Sequence, residues 1–227
     1  MNDAHDLAAE RIDYSGDHLL EDTAPADPFR LFDRWMTDAF AAKERGVLPE
    51  PTAVVVSTVD ADGRPSSRTV LLKAVSPADP SGNVDGGFVI FTNYNSRKGS
   101  ELAANPHTAL LFGWYPLQRQ VRIEGVAEPL PAADSDAYFA TRPRGSQLGA
   151  WASAQSSEVG SLAELQDSYA QAERRFDGGD VPRPEHWGGY NVTPESIEFW
   201  QGQPSRMHDR LLYRRAASGW TITRLAP

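Results

Sequence analysis

Several arginines and lysines of this chain stand in short polar groups, and each group has the composition of an anion site. The first is Asn95-Ser96-Arg97-Lys98-Gly99. Ser96 reads as a helix N-cap. Arg97 and Lys98 then occupy the first turn, where the helix dipole disfavours cations. A bound phosphate reverses that penalty, because the free N–H groups of a helix start donate to anions. Gly99 leaves room for a ligand to approach. Taken alone, the group reads equally well as two solvated surface cations.

Arg68-Thr69-Val70-Leu71-Leu72-Lys73 places a charge at each end of an apolar run. Strict strand alternation sends Arg68 and Lys73 to opposite faces. For both to serve one ligand, the strand must bulge or twist, or two subunits must share the site. Arg206-Met207-His208-Asp209-Arg210, if extended, puts Arg206, His208 and Arg210 on one face. Two guanidiniums beside an imidazole lower its proton affinity and leave His208 mostly neutral at pH 7. An anion in front of them relieves the repulsion; a polar edge strand is the bland alternative. Tyr138 and Arg142 share a helix face four residues apart, and Pro143 ends that helix so that Arg144-Gly145-Ser146 follow as a loop. Arginine with two hydroxyls suits a phosphate, although a surface helix end explains the same trio. Gln120 in a strand and Gln155-Ser156 in a loop could pair with the edge of a flat heterocycle. Trp200 could stack on one or fill the core.

The elements that must hold these groups are mostly strands. Residues 1–24 read as a flexible N-terminal arm. Asp27 and Pro28 open a helix whose apolar face is Phe29, Phe32, Trp35, Met36, Ala39 and Phe40; Gly46 and Pro49 end it. Ala53–Val59 and Ser67–Val75 flank the turn residues Asp60-Ala61-Asp62-Gly63 and read as a hairpin. Gly87–Thr92, Thr108–Trp114 and Gln120–Val126 supply three more strands, with a helix over Arg97–Ala104. Helices follow at Ala132–Thr141 and Leu162–Phe176, then strands at Ser196–Trp200, Leu211–Arg215 and Trp220–Leu225. Many strands with scattered helices predict a mainly β fold with flanking α-helices, closed as an antiparallel barrel rather than a doubly wound sheet.

Composition narrows the chemistry. The chain has no cysteine, which removes disulfides, thiolate nucleophiles and Cys-ligated metals. Its five histidines show no metal-ligand spacing, so no metal is expected. There is no Gly-x-Gly-x-x-Gly, Walker A, Gly-x-Ser-x-Gly or His-Glu-x-x-His motif. A net charge of −9 repels polyanions at long range and argues against a nucleic-acid partner. Met1–Glu10 lack the basic flank and apolar run of a secretory signal, and no apolar run is long enough for a membrane span. A cytoplasmic location is the expectation.

The order of these groups resembles the pyridoxamine 5′-phosphate oxidase family. The run is Arg68-x-Val70-Leu71-Leu72-Lys73, Phe91-Thr92-Asn93, Ser96-Arg97-Lys98 and Arg119-Gln120-Val121. It continues with Tyr138-x-x-x-Arg142-Pro143-x-x-Ser146, Gln155-Ser156, Trp200, Arg206-x-His208-x-Arg210 and Arg224-Leu225-Ala226-Pro227. Each motif is weak alone; the ordered set extends from Arg11 to Pro227. The resemblance implies an FMN-binding split β-barrel over residues 25–227, including a C-terminal dimerisation region, in a homodimer with FMN at the interface. It implies oxidation of pyridoxamine 5′-phosphate or pyridoxine 5′-phosphate to pyridoxal 5′-phosphate, with O2 as acceptor.

By the same resemblance, FMN is held by Arg68, Thr69, Val70, Leu71, Leu72, Lys73, Phe91, Thr92, Arg97, Lys98, Gln120, Gln155, Ser156, Trp200 and Arg210. The substrate phosphate falls to Lys73, Tyr138, Arg142 and Ser146. Arg206 and His208 bracket the ring and the reacting carbon, and Arg11 and Tyr14 match a segment that closes over the substrate. Phe91 departs from the family pattern, where tyrosine is common; backbone contacts would make the change cheap. Competing expectations are a split-barrel reductase using a deazaflavin, and a flavin or pyridoxal phosphate carrier without turnover.

Overall fold

The computed structural model describes residues 7–9, 11–76 and 86–227. The part of the expected N-terminal arm at residues 1–6 and 10 lies outside the described residues. The elements are α1 (Pro28–Glu44), β1 (Ala53–Val59), β2 (Pro65–Ser76), β3 (Gly87–Asn93), α2 (Arg97–Ala104), β4 (His107–Trp114), β5 (Arg119–Pro129), α3 (Ala132–Thr141), α4 (Arg144–Ala152), α5 (Leu162–Arg175), β6 (Trp187–Gln201), β7 (Asp209–Arg215) and β8 (Trp220–Arg224). The strands lie in the order β3-β2-β1-β4-β5-β6-β7-β8, and β3 also pairs with β6. That pairing closes β1–β6 into a six-stranded barrel, which leaves no unpaired edge in the ring.

The chain forms two compact units. One comprises the described residues up to Pro51 together with Phe112–Arg122 and Ser196–Pro227; the other comprises Thr52–Leu111 and Ile123–Glu195. In the first, Asp27 caps α1 by accepting from the Phe29 amide, and Pro28 supplies a first-turn residue that needs no N–H partner. The apolar face of α1 sets Phe32 against Phe112 at 5.2 Å and Trp35 edge-on to Phe199 at 5.2 Å. Phe40, expected on that face, is 44% exposed. The Trp114 indole N–H donates to the Pro51 carbonyl at 2.9 Å, satisfying the one polar atom of a buried ring.

In the second unit, the β1–β2 hairpin turns on Asp60. Its carboxylate accepts from the amides of Asp62 and Arg64 at 3.0 and 2.8 Å, and Gly63 takes φ +80°, a left-handed conformation natural to glycine. Strands β2 and β3 pair Leu72 with Ile90 but Ala74 with Val89. Lys73 is therefore the extra residue of a β-bulge. Beyond α3 the chain forms a helix, α4, where a loop was expected. Gly145, Gly149 and the preceding Pro143 give weak local propensity for it. Packing supplies the difference: Leu148 is buried, Trp151 donates to the Pro182 carbonyl at 2.8 Å, and Arg144 donates to the carbonyls of Phe176 and Gly179. Strand β6 also starts nine residues before the expected Ser196, because Trp187–Val192 pair with β3. Gly188, Gly189 and Pro194 hide this from strand propensity.

No helix among the described residues is long and apolar enough to cross a membrane. Nor does any group of three or more potential ligands among them form a metal site.

Candidate active site

A cleft of about 400 Å³ opens in the second unit, lined by Arg68, Thr69, Val70, Leu71, Lys73, Phe91, Thr92, Lys98, Tyr138, Arg142, Gln155 and Trp187. The bulge brings Lys73 to the same cleft as Arg68 and resolves the alternation problem within one strand. Leu72 differs from its neighbours: it is buried at 5% exposure and belongs to the core.

One wall is built on α2. The Ser96 hydroxyl caps the helix by accepting from the Gly99 amide at 3.3 Å. Gly99 itself serves packing rather than ligand approach, since a Cβ there would lie 2.2 Å from the Tyr94 carbonyl oxygen. Lys98 is buried, and its Nζ donates to Gln155 Oε1 at 2.7 Å, Thr92 Oγ1 at 3.0 Å and Ser96 Oγ at 3.2 Å. Burial, with a smaller contribution from the Arg68 charge, lowers the Lys98 ammonium to about 8. No carboxylate neutralises it in these three bonds. Arg97 instead turns to Glu101, one turn along the helix, at 2.8 Å, and its side chain is 59% exposed.

Glu101 was not anticipated as a site residue. Its buried carboxylate accepts from Ser66 Oγ at 2.6 Å, from Thr58 Oγ1 and from Arg97, and lies 3.4 Å from Arg68 Nη2. Burial raises this acid, but the hydrogen bonds from Ser66, Thr58 and Arg97 and the Arg97 charge outweigh it, holding Glu101 at about 2. Arg68 also donates to the Val56 carbonyl at 3.2 Å and to Thr58 Oγ1 at 2.5 Å. Its fork is thus oriented before any ligand arrives. The Arg97-x-x-x-Glu101 spacing was a legible signal for this pairing.

The opposite wall is aromatic. Phe91 stacks on Tyr138 at 4.0 Å and on Trp187 at 5.3 Å. Arg142 lies over the Trp187 ring at 4.5 Å, a cation–π contact that fixes the guanidinium plane. Its Nη1 is buried without a hydrogen-bond partner among the described residues. Burial pulls the Arg142 proton affinity down, with Tyr138 opposing, and pushes the Tyr138 phenol up, with Arg142 opposing. Gln155 reaches the cleft through its bond to Lys98, and Ser156 follows it in an exposed turn at φ +75°. Ser146 is exposed on α4.

The remaining expected residues belong to the first unit. Arg206, His208, Trp200, Arg210, Gln120, Tyr14 and Arg11 all fall there. The extended face expected for 206–210 does not form. Pro204–Arg206 make a single 3₁₀ turn, with Ser205 and Arg206 at φ +55° and +60°. Strand β7 begins only at Asp209. A left-handed non-glycine residue costs about 1–2 kcal/mol, and such strain concentrates at functional sites. Arg210 does not crowd His208 either: its Nε donates to Glu198 at 2.8 Å, and that pair raises its proton affinity. His208 is nevertheless lowered, first by burial and then by the Arg206 charge. The Gln203 amide donates to His208 Nδ1 at 3.1 Å, so the neutral ring carries its proton on Nε2. The His208 ring lies 4.6 Å from Trp200 and 5.3 Å from Tyr14.

From Tyr14 onward the expected flexible arm is tied down. Ser15 N donates to Gln118 Oε1 at 2.8 Å, Leu19 is buried, and its amide reaches Asp209 at 3.1 Å. Arg11 is exposed, and its Nη2 donates to the Ala8 carbonyl at 3.2 Å. Gln120 is half-buried in β5.

Comparison with known proteins agrees with this architecture. Residues 40–175 match the pyridoxamine 5′-phosphate oxidase family, and residues 187–227 match the pyridoxine 5′-phosphate oxidase C-terminal dimerisation region. A pyridoxine/pyridoxamine 5′-phosphate oxidase of Burkholderia vietnamiensis is 55% identical over 224 residues, covering 97% of this chain and 99% of that protein. Its counterpart in Rubrobacter xylanophilus is 54% identical over 222 residues, covering 98% and 97%. Among solved structures, PhzG of Burkholderia lata, in complex with tetrahydrophenazine-1-carboxylic acid, superposes with a TM-score of 0.81. It is 30% identical and covers 94% of this chain and 100% of its own. With its barrel, its C-terminal region and more than half its residues in common with such relatives, the chain belongs to the pyridoxamine 5′-phosphate oxidase family.

Proposed function

We propose that this protein is an FMN-dependent oxidase that converts pyridoxamine 5′-phosphate or pyridoxine 5′-phosphate to pyridoxal 5′-phosphate, reducing O2 to H2O2, and that it acts as a homodimer with FMN at the interface. The observation that carries the reading is the cleft of the second unit. In an acidic chain it gathers Arg68, Lys73, Lys98 and Arg142 beside a flat aromatic wall, and one buried Arg142 donor has no partner among the described residues. Buried donors of this kind are normally satisfied, and a phosphate oxygen would satisfy this one.

The residues fit the cofactor. Arg68, Lys98, Thr92 and Gln155 would hold FMN, with Arg97 at the same helix start and Ser156, Gln120, Trp200 and Arg210 completing its surroundings. FMN, when bound, supplies the acceptor for a hydride from the substrate C4′ carbon and passes the electrons to oxygen. The protein's part is placement and charge. Lys73, Tyr138, Arg142 and Ser146 would hold the substrate phosphate, and Arg142 arrives pre-oriented by Trp187. Arg206 and His208 would orient the substrate ring, with His208 donating from Nε2. Arg11 and Tyr14 would cover it. An amine substrate gives an imine that water hydrolyses to aldehyde and ammonia; an alcohol gives the aldehyde directly.

Oxygen uptake by the FMN-loaded protein on addition of pyridoxamine 5′-phosphate tests the reading. Stoichiometric pyridoxal 5′-phosphate and H2O2 are expected. Tight binding of flavin or pyridoxal phosphate without oxygen uptake would instead indicate a carrier. Retention of a deazaflavin in preference to FMN, seen in the spectrum of the bound cofactor, would indicate a reductase.

A further inference from the structure

We propose that Asp209 is a positioning residue for substrate binding: it anchors the segment Tyr14–Leu19 and so keeps Tyr14 against the His208 imidazole. The inference rests on the reading of Arg206 and His208 as substrate-orienting residues.

The carboxylate is a hub. Asp209 Oδ2 accepts from His18 Nδ1 at 2.9 Å, from the Leu19 amide at 3.1 Å and from Gln203 Nε2 at 3.0 Å. Its Oδ1 accepts from Arg224 Nη1 at 2.6 Å. Burial pushes this acid up; the bonds from His18, Leu19 and Arg224 reverse that and leave it below the ordinary aspartate value. The other hub members grip the same segment. Gln203 Nε2 donates to the carbonyls of Gly16 and Asp17, both at 3.1 Å, and Arg224 Nη2 donates to the Leu19 carbonyl at 2.7 Å. Residues 11–19 contain no helix or strand, so side chains from β7, β8 and the turn before β7, with Gln118, supply their order.

The network ends at the imidazole. Gln203 holds the segment with its side chain, while its backbone N–H sets the His208 tautomer. The Tyr14 ring stands nearly perpendicular to both Trp200, at 5.8 Å, and His208, at 5.3 Å. The segment also lies against backbone at Gly202, where a Cβ would come 2.7 Å from Tyr14 Cδ1. An apolar anchor could hold a strap equally firmly; a buried charged hub fixes one register, the better-attested use of such groups. None of the residues bonded to the Asp209 carboxylate, His18, Leu19, Gln203 and Arg224, is among those proposed to hold either ligand, so its effect would pass through Tyr14 and His208.

The test uses FMN-loaded protein carrying Asp209→Asn and, separately, Gln203→Met, which removes the amide donors with little change of volume. Amide hydrogen exchange at Ser15 and Leu19 is measured beside KM, kcat and flavin Kd. Both variants should exchange at Leu19 about tenfold faster or more, and KM for pyridoxamine 5′-phosphate should rise about tenfold with a smaller change in kcat and unchanged flavin Kd. Unchanged exchange, or faster exchange with unchanged KM, overturns the proposal. Should Asp209→Asn fail to fold, Gln203→Met decides by the same criteria. Wild-type protein that takes up no oxygen defeats the functional reading instead, and the exchange measurement alone then decides whether Asp209 anchors the segment.

Discussion

Lys98 should make cofactor affinity fall with pH in a range where surface lysines are indifferent. Its ammonium is buried against three neutral acceptors, and its proton affinity drops from the ordinary 10.5 to about 8. A dianionic phosphate beside it would restore the charged form. Cofactor binding above pH 8 must therefore take up a proton, and the apparent Kd should rise about tenfold per pH unit between about pH 8 and about pH 10. At pH 7 the free protein is already mostly protonated, so the curve flattens there. The same shift predicts the stability of the cofactor-free protein. Between about 8 and 10.5 the unfolded chain holds a proton that the folded chain has lost, so stability rises with pH, by at most about 3 kcal/mol. Quenching of flavin fluorescence, titrated between about pH 7 and about pH 9.5, measures the first effect. Lys98→Met should abolish the slope and weaken binding at pH 7 by about 10- to 100-fold, the worth of a charge-assisted hydrogen bond. A wild-type Kd that is flat over this range, or a Lys98→Met protein that keeps the slope, refutes the reasoning.

Three further outcomes follow from the geometry. Arg142→Met removes the donor left bare in the cleft, and KM for the phosphorylated substrate should rise about 10- to 100-fold in steady-state assays while flavin Kd holds. Arg206→Ala should lower turnover about 100-fold with flavin retained, as separate titration of the cofactor would show; equal loss of both, or of neither, contradicts the division of roles. Glu101 lies well below its unfolded value, so its contribution to stability is complete above pH 4.5 and disappears as pH falls towards 2. Urea denaturation across that acid range should show wild type converging on Glu101→Gln, from a gap of at most about 3 kcal/mol that solvent screening reduces.

Much of this arrangement was legible in residue order. The Asp27-Pro28 helix start, the Asp60–Gly63 hairpin turn and the Ser96 cap are local devices, and local chemistry specifies them. The alternation conflict between Arg68 and Lys73 left a bulge, a twist or a shared site open, and the pairing of β2 with β3 contains the bulge. Tertiary partners decided the rest. Helix α4 depends on α5 and the Pro182 segment, and the first half of β6 depends on pairing with β3. Residues 206–210 alternate in type like a strand, yet Pro204 and two left-handed residues bend them. The acidic members, Glu101 and Asp209, carry no anion-site signal of their own, since each acts by pairing with a cation. The Arg68 and Arg97 guanidiniums are both held by Glu101, and Arg97-x-x-x-Glu101 spelled out that partner.

The unmatched residue at Lys73 makes strand length, as well as residue type, part of what shapes the cleft. Substituting Lys73 would cost one charge. Deleting it would bring Leu72 and Ala74 together opposite Ile90 and Val89, which are already neighbours, so the ladder would become regular and the bulge and its cation would be lost together. A single-codon deletion here should therefore keep the strand paired to both neighbours and alter the cleft rather than the sheet.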